Sequence, residues 1–573
     1  MQTHESADCD LLVIGSGAAG LAAAVTARLE GLTVILVEKA PVLGGTSAIS
    51  GGWIWVPANP VAARTGVRDS IDAATRYLQV ESGDRFDPAR VAAYLEHGPR
   101  MLELFERKTA VRFDASPTFP DYHPEAPGAA CGRSIVATPY DGRALGTHIA
   151  ALRRPLRETT LFGLNVGSGA ELTHFFKATR SLASAAFVVR RILAYAIDRA
   201  RHGRGMRLAN GNALAGRLAQ SAYALGADLW LSAPAVRLMR ADGRVNGALV
   251  RRGDTEVAVQ ARRGVVLACG GFSHDLERRR ALYPHAPGPA GHHSPVPASN
   301  TGDGLRLGEA AGGVVERGLS NAAPWVPVSL VPHRDGTTGV FPHVVDRAKP
   351  GVIAVTRKGL RFVNEAHAYH DFVQAMIRAD AGEKDVVAFV VCDHRAIRRY
   401  GLGYVKPFPL PLGPHLASGY LKRGHTLIDL ATRAGIEPVA LARTVAAFNA
   451  DARAGRDSAF GKGSTAYNRF QGDQTHAPNA CLAPLDQPPY YAVRIGPGDL
   501  GTFAGLRTDG DARVLDGEGR PVAGLYAAGN DAASLMGGSY SGAGINLGPA
   551  MVFGYLAARH AAAAAAGAAP GSG

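Results

Sequence analysis

The segment from Leu11 to Glu38 constrains the fold more than any other part of this 573-residue chain. Leu11-Leu12-Val13-Ile14 reads as a buried strand that runs directly into Gly15-Ser16-Gly17-Ala18-Ala19-Gly20, and the alanine-rich stretch from Leu21 to Glu30 has helical character. Strand, G-x-G-x-x-G and helix together open a dinucleotide-binding unit. Gly15 permits the tight turn, Gly17 lets backbone approach a pyrophosphate, Gly20 lets helix pack on strand, and the helix N-terminus, with Ala18 and Ala19, offers N–H groups to phosphate oxygens. The glycine pattern alone is a weak signal. Here a second β-branched strand, Thr33 to Val37, ends in Glu38, whose carboxylate stands at the right remove to accept hydrogen bonds from a ribose diol, with Lys39 beside it.

NAD and FAD sites share this opening, and two further segments separate them. Gly44 to Gly52 follows the second strand and supplies small residues and hydroxyls (Gly45, Thr46, Ser47, Ser50, Gly51 and Gly52) suited to wrapping a pyrophosphate and an isoalloxazine ring. Near the C-terminus, Gly524 to Asn530 reads as a short strand ending in small residues, Gly529 and Asn530 among them, of the kind that closes a flavoprotein fold by returning to the first sheet. A simple NAD domain needs neither, so the expected cofactor is FAD.

Composition narrows the remaining classes. Hydrophobic residues at 46% against 19% charged residues exclude a disordered chain. The five cysteines are odd in number and far apart with no C-x-x-C, so neither a disulfide framework nor a zinc site is indicated, no metal is expected, and a reducing compartment is the natural reading. The net charge of +13 raises nucleic acid as a partner, but the arginines are spread out and no nucleic-acid motif accompanies them; even the densest cluster, Arg190 to Arg207, reads as a solvated helical face. No apolar stretch approaches the roughly 18 residues of a membrane span, and the N-terminus is polar, without the pattern of a secretory signal. A cytoplasmic location is expected, with loose membrane association left open by the amphipathic stretch Phe187 to Ala196.

With these segments in place the chain resembles the fumarate reductase and succinate dehydrogenase flavoprotein superfamily and, within it, the 3-ketosteroid 1-dehydrogenases. Further matches are Arg207 to Leu218, Arg263 to Phe272 with Ala268 and Gly270 where a strand meets the flavin, and Asn300 to Gly304 with Asp303 in a turn beside the cofactor. Covalently flavinylated members carry a His beside the Gly-Gly-Thr-Ser stretch. Thr46-Ser47-Ala48 has none, so the resemblance implies non-covalent FAD. Dicarboxylate enzymes place an Arg after the segment matching Ala527-Ala528-Gly529, and this chain has no Arg from Tyr526 to Tyr555, which argues against fumarate or succinate chemistry. It carries instead the Tyr-x-G-x-G pattern of the ketosteroid enzymes, Tyr540 to Gly544, with Asn546 and Leu547 following at the cofactor. Tyr122 and Tyr369 fall on two more of that family's site positions. Ser541 replaces the family's Pro, and His123 stands where a second Tyr is common.

The resemblance implies α,β-desaturation of a cyclic ketone. Tyr540 and the Gly544 N–H would polarise the carbonyl, Tyr369 would take the α-proton, Tyr122 would support the tyrosinate, and flavin would accept the hydride; His123 and His367 are alternative bases. Monocyclic ketones such as cyclohexanone are the alternative substrates, and a dicarboxylate oxidoreductase or a non-catalytic basic flavoprotein the alternative functions. No second dinucleotide fingerprint is present, so an external acceptor, quinone-like or a protein, is expected. The expected fold class is α/β: a Rossmann-type FAD-binding domain over residues 1–320 and 502–573 with an inserted α+β catalytic (capping) domain at 321–501. Leu427 to Ala454 is expected to be helical, Pro407 to Pro414 a loop, the 143–204 segment a lid, oligomer contact or membrane patch, and Ala561 to Gly573 a disordered tail.

Overall fold

The computed structural model describes residues 5–285, 288, 290–381 and 385–566. The chain opens with β1 (Glu5–Ile14), α1 (Ala18–Leu29) and β2 (Val34–Val37). β1 begins earlier than its apolar run indicates because Glu5 to Cys9 pair with Val257 to Ala261. Both neighbours of β1 are parallel to it, and Ile14, Val37 and Leu267 end abreast; Leu267 in turn pairs with Ala527 of the returning strand Pro521–Ala527. An eight-stranded sheet results, in the order Arg513–Leu515, Pro521–Ala527, Thr255–Leu267, β1, β2, Asp228–Trp230, with Arg244–Arg252 antiparallel to Thr255–Leu267 and Ala235–Ala241 antiparallel to Arg244–Arg252.

Alternation along β1 sends Leu11 and Val13 into one hydrophobic core and Leu12 and Ile14 into another. A sheet covered on both faces is what a parallel arrangement requires, and it explains why these strands read as continuous apolar runs. On one face α1 packs against the C-terminal helix Leu547–Ala566, so closely that a side chain at Gly554 would overlap the Ala19 carbonyl. That helix corrects the expected tail: alanine is the strongest helix former, and the run Ala561 to Ala566 continues the helix. Residues 567–573 lie outside the described residues.

A second, six-stranded antiparallel sheet draws all its strands from Trp325 to Asp499. The helical run expected over Leu427 to Ala454 is two helices, Leu427–Ala434 and Pro438–Arg453. Gly435 adopts the left-handed conformation that ends the first, and Pro438 starts the second at the position where a missing N–H costs nothing. Residues 407–412 form the expected loop, and a short helix begins at Gly413. The 143–204 segment folds into 3-10 turns and a helix pair, Ala170–Lys177 and Leu182–His202, joined through Glu171, which binds Arg191. Leu182, Leu193 and Ile197 of the longer helix are exposed. Among the described residues no helix is long and apolar enough to cross a membrane, and no group of His, Cys, Asp and Glu is arranged to hold a metal.

One buried ion cluster fixes the loop that carries Tyr122. The Arg133 guanidinium, fully buried, binds Asp69 through two nitrogens (2.8 and 2.9 Å) and Asp121 through the third (2.8 Å), while Asp121 also accepts the Trp55 indole N–H at 2.8 Å. Removing one partner of such a cluster strands buried charge. Arg133→Met is therefore expected to lower stability by about 3–5 kcal/mol, read as a lower midpoint in urea unfolding; an unchanged midpoint would show that the cluster is not holding this loop.

Candidate active site

A cavity of about 1500 Å³ opens at the carboxyl ends of β1, β2 and Thr255–Leu267. This is the place where ligands bind in open α/β sheets, and its volume exceeds the roughly 300–1,000 Å³ of an ordinary small-molecule pocket, leaving room for a dinucleotide and a second molecule. Every cofactor-contacting residue expected from the sequence lines it except Gly20. Gly20 lies behind the turn, where a side chain would overlap the Gly15 carbonyl, so its role is the helix packing argued from its position in the motif.

The turn itself is built for a ligand that approaches backbone. A Cβ added at Gly17 would meet no protein atom closer than Ser47 Oγ at 3.6 Å, and one at Gly45 would meet nothing closer than Gly17 at 3.7 Å. Protein packing does not demand glycine at Gly17, where the cradle is open, whereas Gly45 also adopts a left-handed φ of +47°. The Ser47 hydroxyl accepts the Ala18 N–H at 2.9 Å, and the N-terminus of α1 carries no cap from its own Gly17. Uncapped N–H groups and the positive helix end suit a pyrophosphate. Glu38 is held in place by the Ser16 hydroxyl (2.6 Å) and the N–H groups of Ser16 and Ala40, while Lys39 pairs with Asp303. Asn300 binds Thr46 Oγ1 (3.1 Å) and the Gly270 carbonyl (3.0 Å), closing the cradle from the other side. A dinucleotide fits these residues.

The three tyrosines expected from the sequence come together on the same cavity. Tyr369 opens the helix Tyr369–Ala379, Tyr122 lies in the loop held by Arg133, and Tyr540 follows the return strand. The Tyr122 hydroxyl donates to Tyr369 Oη at 3.4 Å, and the Tyr540 ring centroid lies 4.9 Å from that of Tyr369 and 5.5 Å from that of Tyr122. Gly544 also borders the cavity with φ +99°, and any side chain there would collide with the backbone of Trp53 and Ile54. Among the described residues its N–H has no hydrogen-bond partner. Burial pushes the phenols of Tyr369 and Tyr122 well above 10 and that of Tyr540 up to about 12. At Tyr369 the neighbouring phenols of Tyr122 and Tyr540 add to burial in favouring the neutral form.

His123 is not available as a base. Its Nδ1 lies 2.7 Å from Glu81 and its Nε2 2.8 Å from Asp371; burial works against the cation, but hydrogen bonds to Asp371 and Glu81 prevail and raise its pKa to about 10. The same Glu81 oxygen accepts the Ser539 hydroxyl at 2.9 Å. Glu81, His123 and Asp371 therefore tie together the neighbours of Tyr540, Tyr122 and Tyr369. His367 does not line the cavity, and burial lowers its pKa.

Sequence reasoning missed three contributors. Asp531 is fully buried and accepts the N–H groups of Cys269 (2.5 Å) and Gly271 (3.0 Å), fixing the strand end that meets the cofactor; burial raises its pKa to about 6. Its signal was present in its place directly after Gly529-Asn530. Tyr467 packs 4.6 Å from Tyr122 with its hydroxyl accepting from Gln471 at 3.0 Å, and Phe119 packs between Trp53 and Phe470; neither carries a local motif.

Comparison with known proteins agrees with this geometry. A family model described as an FAD binding domain matches residues 10–547. A 4-oxocyclohex-2-ene-1-carboxylate 5-dehydrogenase of Sinomonas cyclohexanicum is 43% identical over 98% of this chain and 95% of its own. A 3-oxosteroid 1-dehydrogenase of Mycobacterium tuberculosis is 37% identical over 96% of this chain and 98% of its own. The crystal structure of 3-ketosteroid delta1-dehydrogenase from Sterolibacterium denitrificans, in complex with 1,4-androstadiene-3,17-dione, superposes with a TM-score of 0.90 at 36% identity, covering 97% of this chain and all of that one. The chain belongs to the FAD-binding flavoprotein family, in the group that includes the 3-oxosteroid 1-dehydrogenases, and FAD is its cofactor.

Proposed function

We propose that the protein is an FAD-dependent dehydrogenase of cyclic ketones, of the 3-oxosteroid 1-dehydrogenase type, which introduces a double bond between the carbons α and β to the ring carbonyl. The observation that carries this reading is the convergence of Tyr122, Tyr369 and Tyr540 on the cavity that also contains the dinucleotide cradle. Residues 321–501 act as an inserted α+β capping domain between the two parts of the FAD domain, 1–320 and 502–573; the origin of every strand of the second sheet between Trp325 and Asp499 supports this division.

Gly17 and the N-terminus of α1 hold the pyrophosphate, Glu38 a ribose, and the 45–52 segment with Ala268 and Asn546 the ring system. Bound there, FAD supplies the two-electron acceptor that takes a hydride from the β carbon. The Tyr540 hydroxyl and the Gly544 N–H donate to the ketone oxygen, in a two-donor site aimed at the charge that develops there as the enolate forms. With the carbonyl so polarised, Tyr369 as tyrosinate removes the α-proton, and Tyr122 receives or returns a proton at Tyr369 Oη. The neutral resting phenol makes the tyrosinate fraction the limiting quantity.

A monocyclic ketone is a second reading, favoured by the 43% identity to an enzyme named for an oxocyclohexene carboxylate. A dicarboxylate reading lacks the Arg that would pair such a substrate, since none occurs between Tyr526 and Tyr555. FAD would be held non-covalently, since among the described residues no histidine lines the cavity. An external acceptor, quinone-like or a protein, would take up the electrons.

Acid precipitation of the holoenzyme is expected to release FAD into the supernatant, and a yellow pellet would contradict non-covalent binding. In anaerobic rapid mixing with a 3-ketosteroid or cyclohexanone, Tyr369→Phe is expected to slow flavin reduction by about 10²–10⁴-fold and Tyr540→Phe by about 10²–10³-fold with weaker ketone binding, with a smaller loss for Tyr122→Phe. Near wild-type reduction in Tyr369→Phe would overturn the assignment of the base. Because Tyr369 must lose its proton to act and its pKa lies above 10, the wild-type rate of flavin reduction should climb about tenfold per pH unit from neutrality towards alkaline pH. A plateau already at pH 7 would show that another group accepts the proton.

A further inference from the structure

Six basic side chains border the cavity, and Lys177 and Lys406 are the two that are neither exposed nor closely paired among the described residues. Lys39 pairs with Asp303; the Lys349 ammonium is held by the carbonyls of Gln471 (2.6 Å) and Gly472 (2.8 Å). Arg199 sits on the longer outer helix and Arg180 in the turn before it, both exposed to water, and Lys177 ends the shorter helix, half-buried and, among the described residues, away from any aromatic ring in cation contact. Lys406 differs from all of these. It lies half-buried in the loop after Gly403, its ammonium resting over the rings of Phe341 (5.4 Å) and Tyr404 (5.5 Å). Its one polar contact is the Glu158 carbonyl at 3.5 Å, the outer limit of a hydrogen bond, and among the described residues it forms no ion pair.

The acids near it are already engaged. The Glu158 carboxylate binds His333 Nε2 through Oε1 at 2.7 Å, and Asp346 Oδ2 is shared by His343 Nδ1 (2.7 Å) and the Gly403 N–H (2.9 Å), while Asp346 Oδ1 is buried without a donor. An ammonium carries three donors and loses much of its hydration on burial; aromatic faces compensate only part of that loss. Burial accordingly lowers the Lys406 pKa to about 8. A cation set over two aromatic faces, with no carboxylate at ion-pair distance among the described residues, is complementary to an anionic group on whatever fills the cavity.

We propose that Lys406 is a substrate-binding residue and that the cyclic ketone turned over here carries a carboxylate, which pairs with the Lys406 ammonium while the ketone oxygen lies at Tyr540 and Gly544. This rests on the reading of the site as a ketone dehydrogenase. A monocyclic oxo acid and a steroid with an acidic side chain share this chemistry and differ in the span between ketone and carboxylate. The substrate named for the Sinomonas cyclohexanicum relative is of the first kind.

The test uses the FAD-loaded full chain, wild type, Lys406→Met and Lys406→Arg, with two acid and ester pairs: 4-oxocyclohexane-1-carboxylate and its methyl ester, and 3-oxo-4-androstene-17β-carboxylate and its methyl ester. Initial rates of flavin reduction give kcat/KM for each. The wild type is expected to prefer the acid of one pair over its ester, and that pair identifies the span. Lys406→Met should erase the preference by about thirty-fold or more, chiefly through KM, and Lys406→Arg should retain most of it. Equal use of acid and ester by the wild type, or a parallel loss on acid and ester in Lys406→Met, would overturn the role of Lys406 while leaving the dehydrogenase reading intact. If neither acids nor esters reduce the flavin, the dehydrogenase reading itself fails and this proposal with it.

Discussion

The structure depends on how closely the end of β1 approaches the end of the strand Thr255–Leu267. Gly15 turns the chain there at φ +109°, and any side chain at that position would occupy the space of the Ala268 carbonyl. Because nothing intervenes, Ile14 and Leu267 finish side by side, α1 starts immediately beyond them, and its free N–H groups face the cavity rather than the sheet. Gly20 continues the same logic one turn on, by meeting the Gly15 carbonyl. Asp531 then secures the far side of the crevice through the N–H groups of Cys269 and Gly271, two donors that the end of a strand would otherwise leave unsatisfied. A phosphate-binding cradle and the cavity beyond it both follow from this close approach.

On that scaffold the three cavity tyrosines come from distant stretches, and a charged hub ties their neighbours together. His123 spans Glu81 and Asp371, and Glu81 reaches Ser539, so the loop of Tyr122, the helix of Tyr369 and the segment of Tyr540 share one set of hydrogen bonds. The Tyr122 N–H also donates to the Ser541 carbonyl, which accepts the Tyr77 hydroxyl as well. A histidine whose pKa is raised to about 10 contributes its binding as a cation below its unfolded pKa near 6.5, and that contribution is lost only as pH rises through about 10. The hub therefore stays charged from neutrality to strongly alkaline pH.

What the sequence made legible is what local sterics determine. The turn Gly15 to Gly20, the apolar strands and the small residues at 44–52 state their geometry within a few residues, because close approach of backbone to phosphate admits few alternatives. That Tyr122, Tyr369 and Tyr540 would share one cavity was legible only through family resemblance, since nothing local singles out three phenols among 17. Asp531, Tyr467 and Lys406 were not, because each acquires its role from partners brought near by the fold: Asp531 from Cys269, Tyr467 from Tyr122, Lys406 from Phe341 and Glu158. The break at Gly435 and the helix through Ala566 were misjudged for a related reason. An apolar period does not register one left-handed glycine, and low complexity does not register the helix propensity of alanine.

The central claim, that one ketone loses its α-proton to Tyr369 and its β-hydrogen to the cofactor, is tested most directly with deuterium. A 3-ketosteroid labelled separately at the α and β carbons is mixed anaerobically with the FAD-loaded enzyme, and flavin bleaching is followed together with the label in the recovered steroid. The account expects the β label to slow bleaching several-fold, and the α label to pass to water in the wild type but stay on the ketone in Tyr369→Phe. Bleaching indifferent to the β label, or equal loss of the α label with and without the Tyr369 hydroxyl, would contradict it.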